Sequence, residues 1–389
     1  MSNSLKSVSN WKSEEIFRSG DVFFKRLIGE LSHAKDCIDL ETYIYEDDEL
    51  GRRITATLSQ AAARGVKVRV MADGIGSPHW CANFVPKLLK NKVQARIFHP
   101  APWVLLLEPL RKHVSLSHFM KLLSFINRRN HRKICVIDKK TAWLGSMNIH
   151  SVHLKSQNGN KAWHDIGVRV VGPGVQDLSQ AFNKAWNEAW DYRHPTLIHK
   201  HKHSKKKIST NRLVRINNNW NSRRRLYKDL LTRIGNAKNK IWLISAYFVP
   251  SAAVVRALCR AARKGIDVRI IVPRNSDVFF IHSVTSAYYY GLLKAGVRIF
   301  EYLPSVLHAK MLMIDNWVVV GSSNMNHRSL IHDLEADIVM TKPAARHELE
   351  SYFRSDLRKT HEITFKDWEK QPVFERIASK TLSMLKYWM

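Results

Sequence analysis

His308-Ala309-Lys310-Met311-Leu312-Met313-Ile314-Asp315 is followed after five residues by Gly321-Ser322-Ser323-Asn324. The chain carries a second version of this stretch. His131-Arg132-Lys133-Ile134-Cys135-Val136-Ile137-Asp138 is followed after six residues by Gly145-Ser146-Met147-Asn148. A lone His-x-Lys-x4-Asp string can arise by chance in a basic protein. Two copies, each with a Gly-Ser-x-Asn tail at nearly the same distance, identify an internal duplication.

The flanking sequence repeats as well. Leu27 to Lys35 ends a helical pattern whose apolar side is Val22, Phe23, Leu27, Ile28 and Leu31, and Cys37 to Tyr45 alternates like a strand. A helix marked by Leu50, Ile54 and Leu58 stops before Arg64-Gly65, and strands follow at Val66–Met71 and from Ala95 to Phe98. After residue 220 the order returns. Leu230 to Lys238 precedes a strand at Ile241–Phe248, with Tyr247 in the place of Tyr43. A helix through Val254, Val255 and Leu258 ends at Lys264-Gly265, and strands follow at Ile266–Val272 and Val297–Phe300. Strand-helix-strand alternation in both copies predicts two α/β/α halves with mixed, largely parallel sheets.

The copies differ in one place. Seven residues separate Phe300 from His308, whereas thirty-two separate Phe98 from His131. The extra piece, 99–130, holds Trp103 to Leu107 and then an apolar helical face of Leu116, Phe119, Met120, Leu123 and Ile126. Arg111, Lys112, Lys121, Arg128 and Arg129 supply its charge. This pattern suits a helix lying in a membrane interface or one covering the site. The expected division is therefore a first half at 1–193, a basic linker at 194–221 and a second half at 222–389. The linker contains His199 to His203, Lys205 to Lys207 and Asn217 to Asn219, and the second half ends in an amphipathic stretch at Ile377–Trp388.

Lys and Arg number 63 against 33 Asp and Glu, a formal net charge of +30. Such an excess favours a polyanionic partner, either nucleic acid or an anionic membrane face. The four cysteines are widely spaced with no Cys-x-x-Cys pair, which reads as reduced thiols rather than a disulfide framework or a zinc site. No uninterrupted apolar run reaches the ~20 residues a bilayer-spanning helix needs, so a peripheral membrane role is expected.

Each motif reads as a hairpin. Residues two apart on a strand point to one face, so His131 projects with Lys133 and His308 with Lys310. If the halves meet face to face, two imidazoles, two ammonium groups and the amides of Asn148 and Asn324 surround one small volume. This is a site for a phosphodiester. The lysines and neutral donors bind the non-bridging oxygens, one imidazole attacks phosphorus, and the other protonates the leaving alcohol. The scheme calls for no metal or other cofactor. Each imidazole needs a carboxylate on its far nitrogen. Glu335, eleven residues past Asn324, is the candidate in the second half, and Asp165 is its equivalent in the first, at a spacing from Asn148 six residues longer. Asp138 and Asp315 sit where the hairpins turn, a position that suits turn formation as well as chemistry.

On these residues the chain is identified as similar to the phospholipase D superfamily. Within it, the chain most resembles bacterial cardiolipin synthases of the type without N-terminal transmembrane helices. Further matching pieces are Ala246-Tyr247-Phe248-Val249-Pro250, Asp73-Gly74-Ile75-Gly76-Ser77, Asn127-Arg128-Arg129-Asn130 and Asn326-His327-Arg328-Ser329-Leu330. Ser245-Ala246 stands where family members often have Thr-Pro, and His150 is unusual and receives no role. The resemblance implies a catalytic set of His131, Lys133, Asp138, His308, Lys310 and Asp315. It implies phosphate binding by Asn148, Asn324, Ser146 and Ser322. It further implies transfer of a phosphatidyl group through a phosphohistidine, typically between two phosphatidylglycerols, by a monomer on the cytoplasmic face of the bacterial inner membrane. A nuclease on the same scaffold is the alternative that the charge allows. Small nucleases of the superfamily carry one motif per chain and dimerise, so two motifs and the 99–130 insertion favour lipid over nucleic acid.

Overall fold

The computed structural model describes residues 10–100, 128–191 and 213–370. The interfacial helix expected around Trp103 to Ile126, the His199 to Lys207 run and the Ile377–Trp388 stretch lie outside them. The main elements of the first half are β1 (Ser13–Phe17), α1 (Gly20–His33), β2 (Cys37–Thr42), α2 (Glu49–Ala63), β3 (Lys67–Asp73), β4 (Gln94–Phe98), β5 (Ile134–Ile137), β6 (Thr141–Gly145), β7 (Gly167–Val171), α3 (Val175–Glu188) and β8 (Trp190–Asp191). The second half repeats them. Its elements are β9 (Val214–Ile216), α4 (Trp220–Gly235), β10 (Lys240–Ile244), α5 (Ala252–Arg263), β11 (Asp267–Pro273), β12 (Arg298–Tyr302), β13 (Met311–Ile314), β14 (Trp317–Gly321), β15 (Ala336–Met340), α6 (Pro343–Leu357) and β16 (Thr360–Ile363).

Two eight-stranded sheets result, in the orders β1-β7-β6-β5-β2-β3-β4-β8 and β16-β12-β11-β10-β13-β14-β15-β9. Pairing is parallel only across β2-β3-β4 and β10-β11-β12, where a helical segment returns the chain, and antiparallel at the other pairings. The sheets are therefore mixed, as expected, but less parallel than strand-helix alternation suggested. The motif strands enter as hairpins, and a tight turn forces antiparallel pairing.

Helix starts are explicit in the sequence. Ser19, Asp48 and Ser251 accept hydrogen bonds from the first turns of α1, α2 and α5, and Asn219 forms a capping box with Ser222 on α4. The linker assignment of 194–221 thus ran too far. From Val214 the chain already lies in the second sheet, beside β15. Val22 also departs from its expected place on the buried side of α1 and is half exposed, while Phe24 takes that face.

The motif hairpins are buried on both faces. Cys135, Ile137 and Trp143 point into the core beneath α1 and α2, while Ile134, Val136, Ala142 and Leu144 point the other way. That second set packs with Met311, Met313, Val318 and Val320 from the other half, together with Leu178 of α3 and Phe353 of α6. Two sheets share one apolar layer. This layer fixes the halves against each other and brings the ends of β5 and β13 together.

Strand register also sets the correspondence between halves. Ile38 pairs with Val68 and Ile137, and Ile241 pairs with Val268 and Ile314. Thr42 Oγ1 donates to Ile44 O at 3.0 Å, and Ser245 Oγ donates to Tyr247 O at 3.0 Å. Tyr247 therefore corresponds to Ile44, and Tyr43 to Ala246. The tyrosines looked equivalent in the sequence because they stand one position apart in otherwise similar strands.

Candidate active site

His131 and His308 precede β5 and β13, and both line a cavity of about 420 Å³ between the halves. Each imidazole is held by the opposite half. Nδ1 of His131 lies 3.0 and 3.2 Å from the carboxylate oxygens of Glu335, and Nδ1 of His308 lies 2.8 Å from Asp165 Oδ1. The two carboxylates expected to orient histidines do so, but crosswise. Glu335, in the second half, serves the first-half histidine, and Asp165 serves the second-half one. With Nδ1 committed, Nε2 is the nitrogen that each imidazole offers to the cavity.

The asparagines are set by their own strands. Asn148 Oδ1 accepts from Ile44 N and Asn324 Oδ1 from Tyr247 N, both at 3.2 Å. A carbonyl accepting from a main-chain N–H fixes the amide's orientation, so both side chains present Nδ2 hydrogens as donors. Both line the cavity. Lys133 Nζ donates to His131 O at 2.7 Å, and Lys310 Nζ donates to His308 O. Each lysine lies under its own histidine, and the two ammonium groups act on one another. Burial lowers Lys133 well below the usual lysine range and brings Lys310 down to about 8.

The remaining members of the expected set lie elsewhere or serve otherwise. Asp138 and Asp315 stand at the far ends of β5 and β13 from the histidines. Asp138 accepts from the main-chain N–H groups of Lys35, Asp36 and Cys37, and Asp315 accepts from those of Lys238, Asn239 and Lys240. Both have positive φ, near 51°. Six residues of extended chain lie between each and its histidine, a span of about 23 Å. Neither is brought to the cavity. Ser146 and Ser322 also turn away from a phosphate-binding role. Ser146 Oγ exchanges hydrogen bonds with both Ile166 main-chain groups, while Ser322 Oγ accepts from Ala336 N and donates to Glu335. His150 contacts Asp48 at 2.9 Å.

The sequence reading missed three groups. His153 Nε2 accepts from Asn148 N at 3.1 Å, so its Nδ1 carries the hydrogen that it donates to Asp165 Oδ2 at 2.7 Å. Asp165 thus receives two imidazoles. Ser329 occupies the same place in the second half, five residues past its asparagine, where Oγ accepts from Asn324 N at 3.2 Å and hydrogen-bonds Glu335. The shared spacing was readable, but a His and a Ser do not look like counterparts. The third is Arg129, counted from the sequence with the charges of the 99–130 insertion, an interfacial or site-covering helix. It is instead buried, with Nη2 2.7 Å from Asp73 Oδ1. Asn217, counted with the linker, accepts from Glu335 N at 2.6 Å and so ties the main chain there to the start of the second half.

The two orienting carboxylates differ electrically. Burial alone would raise Asp165, yet the charges and hydrogen bonds of His153 and His308 hold it well below the usual carboxylate range. Burial wins at Glu335 and pushes it up to about 8, against Lys133 and the serine hydroxyls. Both catalytic-motif imidazoles are lowered, first by burial and then by the neighbouring lysines, His308 to about 4.

A family model described as cardiolipin synthase, PLD-like domain, matches residues 27–190 and 230–357. The chain is 29% identical over 378 residues to the major cardiolipin synthase of Bacillus subtilis, covering 96% of this chain and 74% of that one. It is 30% identical over 382 residues to a cardiolipin synthase of Listeria monocytogenes, covering 95% and 74%. Among solved structures it is similar in fold to a phosphatidylserine synthase of Haemophilus influenzae, with a TM-score of 0.64 at 13% identity over 97% of this chain and 93% of that one. With the duplicated motifs facing one cavity and three quarters of the sequence matched, the chain belongs to the phospholipase D-like family of cardiolipin synthase domains.

Proposed function

We propose that the protein is a cardiolipin synthase-like phosphatidyl transferase acting on phospholipids, with phosphatidylglycerol as donor and acceptor. The observation that carries this reading is the pair of crossed histidine–carboxylate contacts around one cavity, within a chain whose relatives are named cardiolipin synthases. One imidazole attacks phosphorus through Nε2 while the other protonates the departing glycerol. The second imidazole then takes the proton of the incoming hydroxyl, whose oxygen displaces the first imidazole from phosphorus. Asn148 and Asn324 donate to the non-bridging oxygens, and Lys133 and Lys310 supply positive charge beneath them.

The setting is a membrane surface. In this reading the protein works peripherally at the cytoplasmic face, and a charge of +30, which favours an anionic leaflet, supports it; no helix among the described residues is long and apolar enough to cross a bilayer. One chain carries both motifs, so a monomer holds a whole site. The test is to incubate the purified protein with labelled phosphatidylglycerol vesicles and, separately, with single- and double-stranded DNA. Cardiolipin and glycerol are the expected products. DNA cleavage without lipid turnover would replace this reading with the nuclease one.

A further inference from the structure

The two halves match in their catalytic groups but not in the walls beside them. His131 N donates to Leu334 O at 3.0 Å and Leu334 N to Arg129 O at 2.8 Å. His308 N donates to His164 O at 2.8 Å and His164 N to Val306 O at 2.8 Å. Arg129 therefore corresponds to Val306. Asp333 N donates to Arg328 O, and Trp163 N to Val152 O, each at 2.9 Å, so Arg328 corresponds to Val152 and Asp333 to Trp163. By strand register Asp73 corresponds to Pro273. One side of the site thus carries Asp73, Arg129, Arg328 and Asp333, where the other carries Pro273, Val306, Val152 and Trp163.

The charged side is the one next to His131. Tyr43, whose ring lies 5.1 Å from that imidazole, is within electrostatic reach of all four charged residues, and Arg328 and Asp333 act on His131 itself. The Trp163 ring lies 5.2 Å from His308, and the Asp277 carboxylate, which also lines the cavity, acts on His308. Beside His308 an anion meets a ring and a carboxylate, whereas the His131 side offers it guanidinium donors whose charge the two aspartates balance.

Two guanidinium groups line the cavity on that side. Arg129 is only 3% exposed, and its Nε and Nη2 are held by Asp73 while Nη1 has no hydrogen-bond partner. Arg328 is fixed by Asp333, with Nε at 3.1 Å and Nη2 at 2.9 Å. Asp333 also lines the cavity, but its oxygens already accept from Arg328 and from Arg129 N. Planar guanidinium groups held rigid by carboxylates are suited to a phosphodiester.

We propose that Arg129 and Arg328 form a second phosphate subsite, which binds the phosphodiester of the lipid alcohol that accepts the transferred group. This rests on the transferase reading above, in which the donor's phosphate occupies the centre between the two imidazoles. In-line displacement puts the leaving and entering alcohols on the face of phosphorus opposite the attacking nitrogen. An acceptor bound beside His131 therefore makes His131 the proton carrier and His308 the nucleophile. The His308 Nε2–P bond forms as the P–O bond to glycerol breaks, with the proton going from His131 to that oxygen. The acceptor hydroxyl then returns a proton to His131 while its oxygen bonds phosphorus and the P–N bond breaks.

The test sets two acceptors in competition on vesicles of labelled phosphatidylglycerol: the phosphatidylglycerol itself, and a monoalkylglycerol, which has the same diol and no phosphate. Arg328→Gln is expected to lower the ratio of phosphate-bearing to neutral product about tenfold or more, the usual scale for a lost charge-assisted hydrogen bond. Arg328→Lys should recover part of the ratio. Arg328→Gln with Asp333→Asn, which leaves no unpaired carboxylate, should show the same loss. An unchanged ratio in these variants overturns the subsite. Wild-type protein that hydrolyses the donor but transfers to neither alcohol overturns the transferase reading instead. After an alkaline quench, label is expected on the peptide carrying His308, and label on the peptide carrying His131 overturns the assignment of the nucleophile.

Discussion

Asp165 Oδ1 accepts from His308 Nδ1 at 2.8 Å across 143 residues of chain, and Glu335 faces His131 Nδ1 at 3.0 Å across 204. Neither motif histidine finds its orienting carboxylate in its own half, so docking of the halves creates the chemistry as well as the cavity. The two carboxylates should not be equally sensitive to loss of charge. Asp165 faces two imidazole N–H donors, whereas Glu335 faces one and is otherwise satisfied by the hydroxyls of Ser322 and Ser329, which can reorient. Asp165→Asn would turn an amide N–H against an imidazole N–H. Its kcat is expected to fall on the order of 10³–10⁴-fold, the scale seen when a triad carboxylate becomes an amide, and Glu335→Gln should fall less. Comparing the two turnover rates with a soluble phosphodiester decides it, and a smaller loss at Asp165 would contradict the two-imidazole arrangement.

Much of this site was legible in the sequence because duplication marks what both halves keep. His131, Lys133, Asn148 and their counterparts stand at matching spacings, and the structure brings the histidines and asparagines to one cavity, with each lysine bonded to the main-chain oxygen of its own histidine. What the repeat concealed is what differs between the copies. Arg129 and Arg328 have valines as counterparts, and His153 has a serine, so a search for repeated residues passes over them. The crossing of the carboxylates was also out of reach. It depends on the apolar layer shared by Val136, Val168, Met311 and Val320, whose period-two pattern indicates that a strand is buried without naming its partner.

The aspartates that close the motifs illustrate a different limit. A family pattern places Asp138 and Asp315 beside the catalytic residues, but each anchors a turn by accepting three main-chain N–H groups. Hydrogen bonding to those groups holds Asp138 below its ordinary range even though burial opposes the shift. Asp138→Ala should therefore cost about 1–2 kcal/mol of stability, allowing for its partial exposure to solvent. In urea this appears as a lower midpoint with an unchanged slope. kcat/KM should stay within about threefold of wild type at a temperature where both proteins are folded. A hundredfold loss of activity without a change in midpoint would return Asp138 to the catalytic set.

His153 tests whether Asp165 needs its second imidazole. It joins Asn148 N to Asp165 Oδ2, linking a phosphate-binding asparagine to the group that orients His308. His153→Ser would give Asp165 the kind of support that Glu335 has. The expected effect is a loss in kcat of about 10- to 100-fold, the worth of one hydrogen bond to a charged group, with little change in KM. His153→Asn, which keeps a donor and an acceptor, should recover part of it. A rise in KM at constant kcat would mean that His153 serves binding through Asn148 and not orientation through Asp165.

The pH dependence of kcat/KM follows from the buried charges of the free enzyme. His308, lowered to about 4 by burial and by Lys310, keeps a lone pair at every pH above that value, so activity should rise through about pH 4. On the alkaline side two groups lose protons together. Lys310, brought down to about 8 by burial, ceases to be a cation, and Glu335, pushed up to about 8 by burial, gives up the proton that its pair with His131 holds. Both changes act against binding an anion and against protonating a leaving alkoxide, so kcat/KM should fall above about pH 8. A soluble phosphodiester is the right substrate, because vesicle surface charge would otherwise shift the local pH. Lys310→Arg keeps its charge across this range, which removes one of the titrating groups and should make the alkaline fall shallower. Glu335→Gln should do the same from the other side, leaving the lysines to titrate. A wild-type profile that stays flat to about pH 10 would show that neither group titrates where its burial places it.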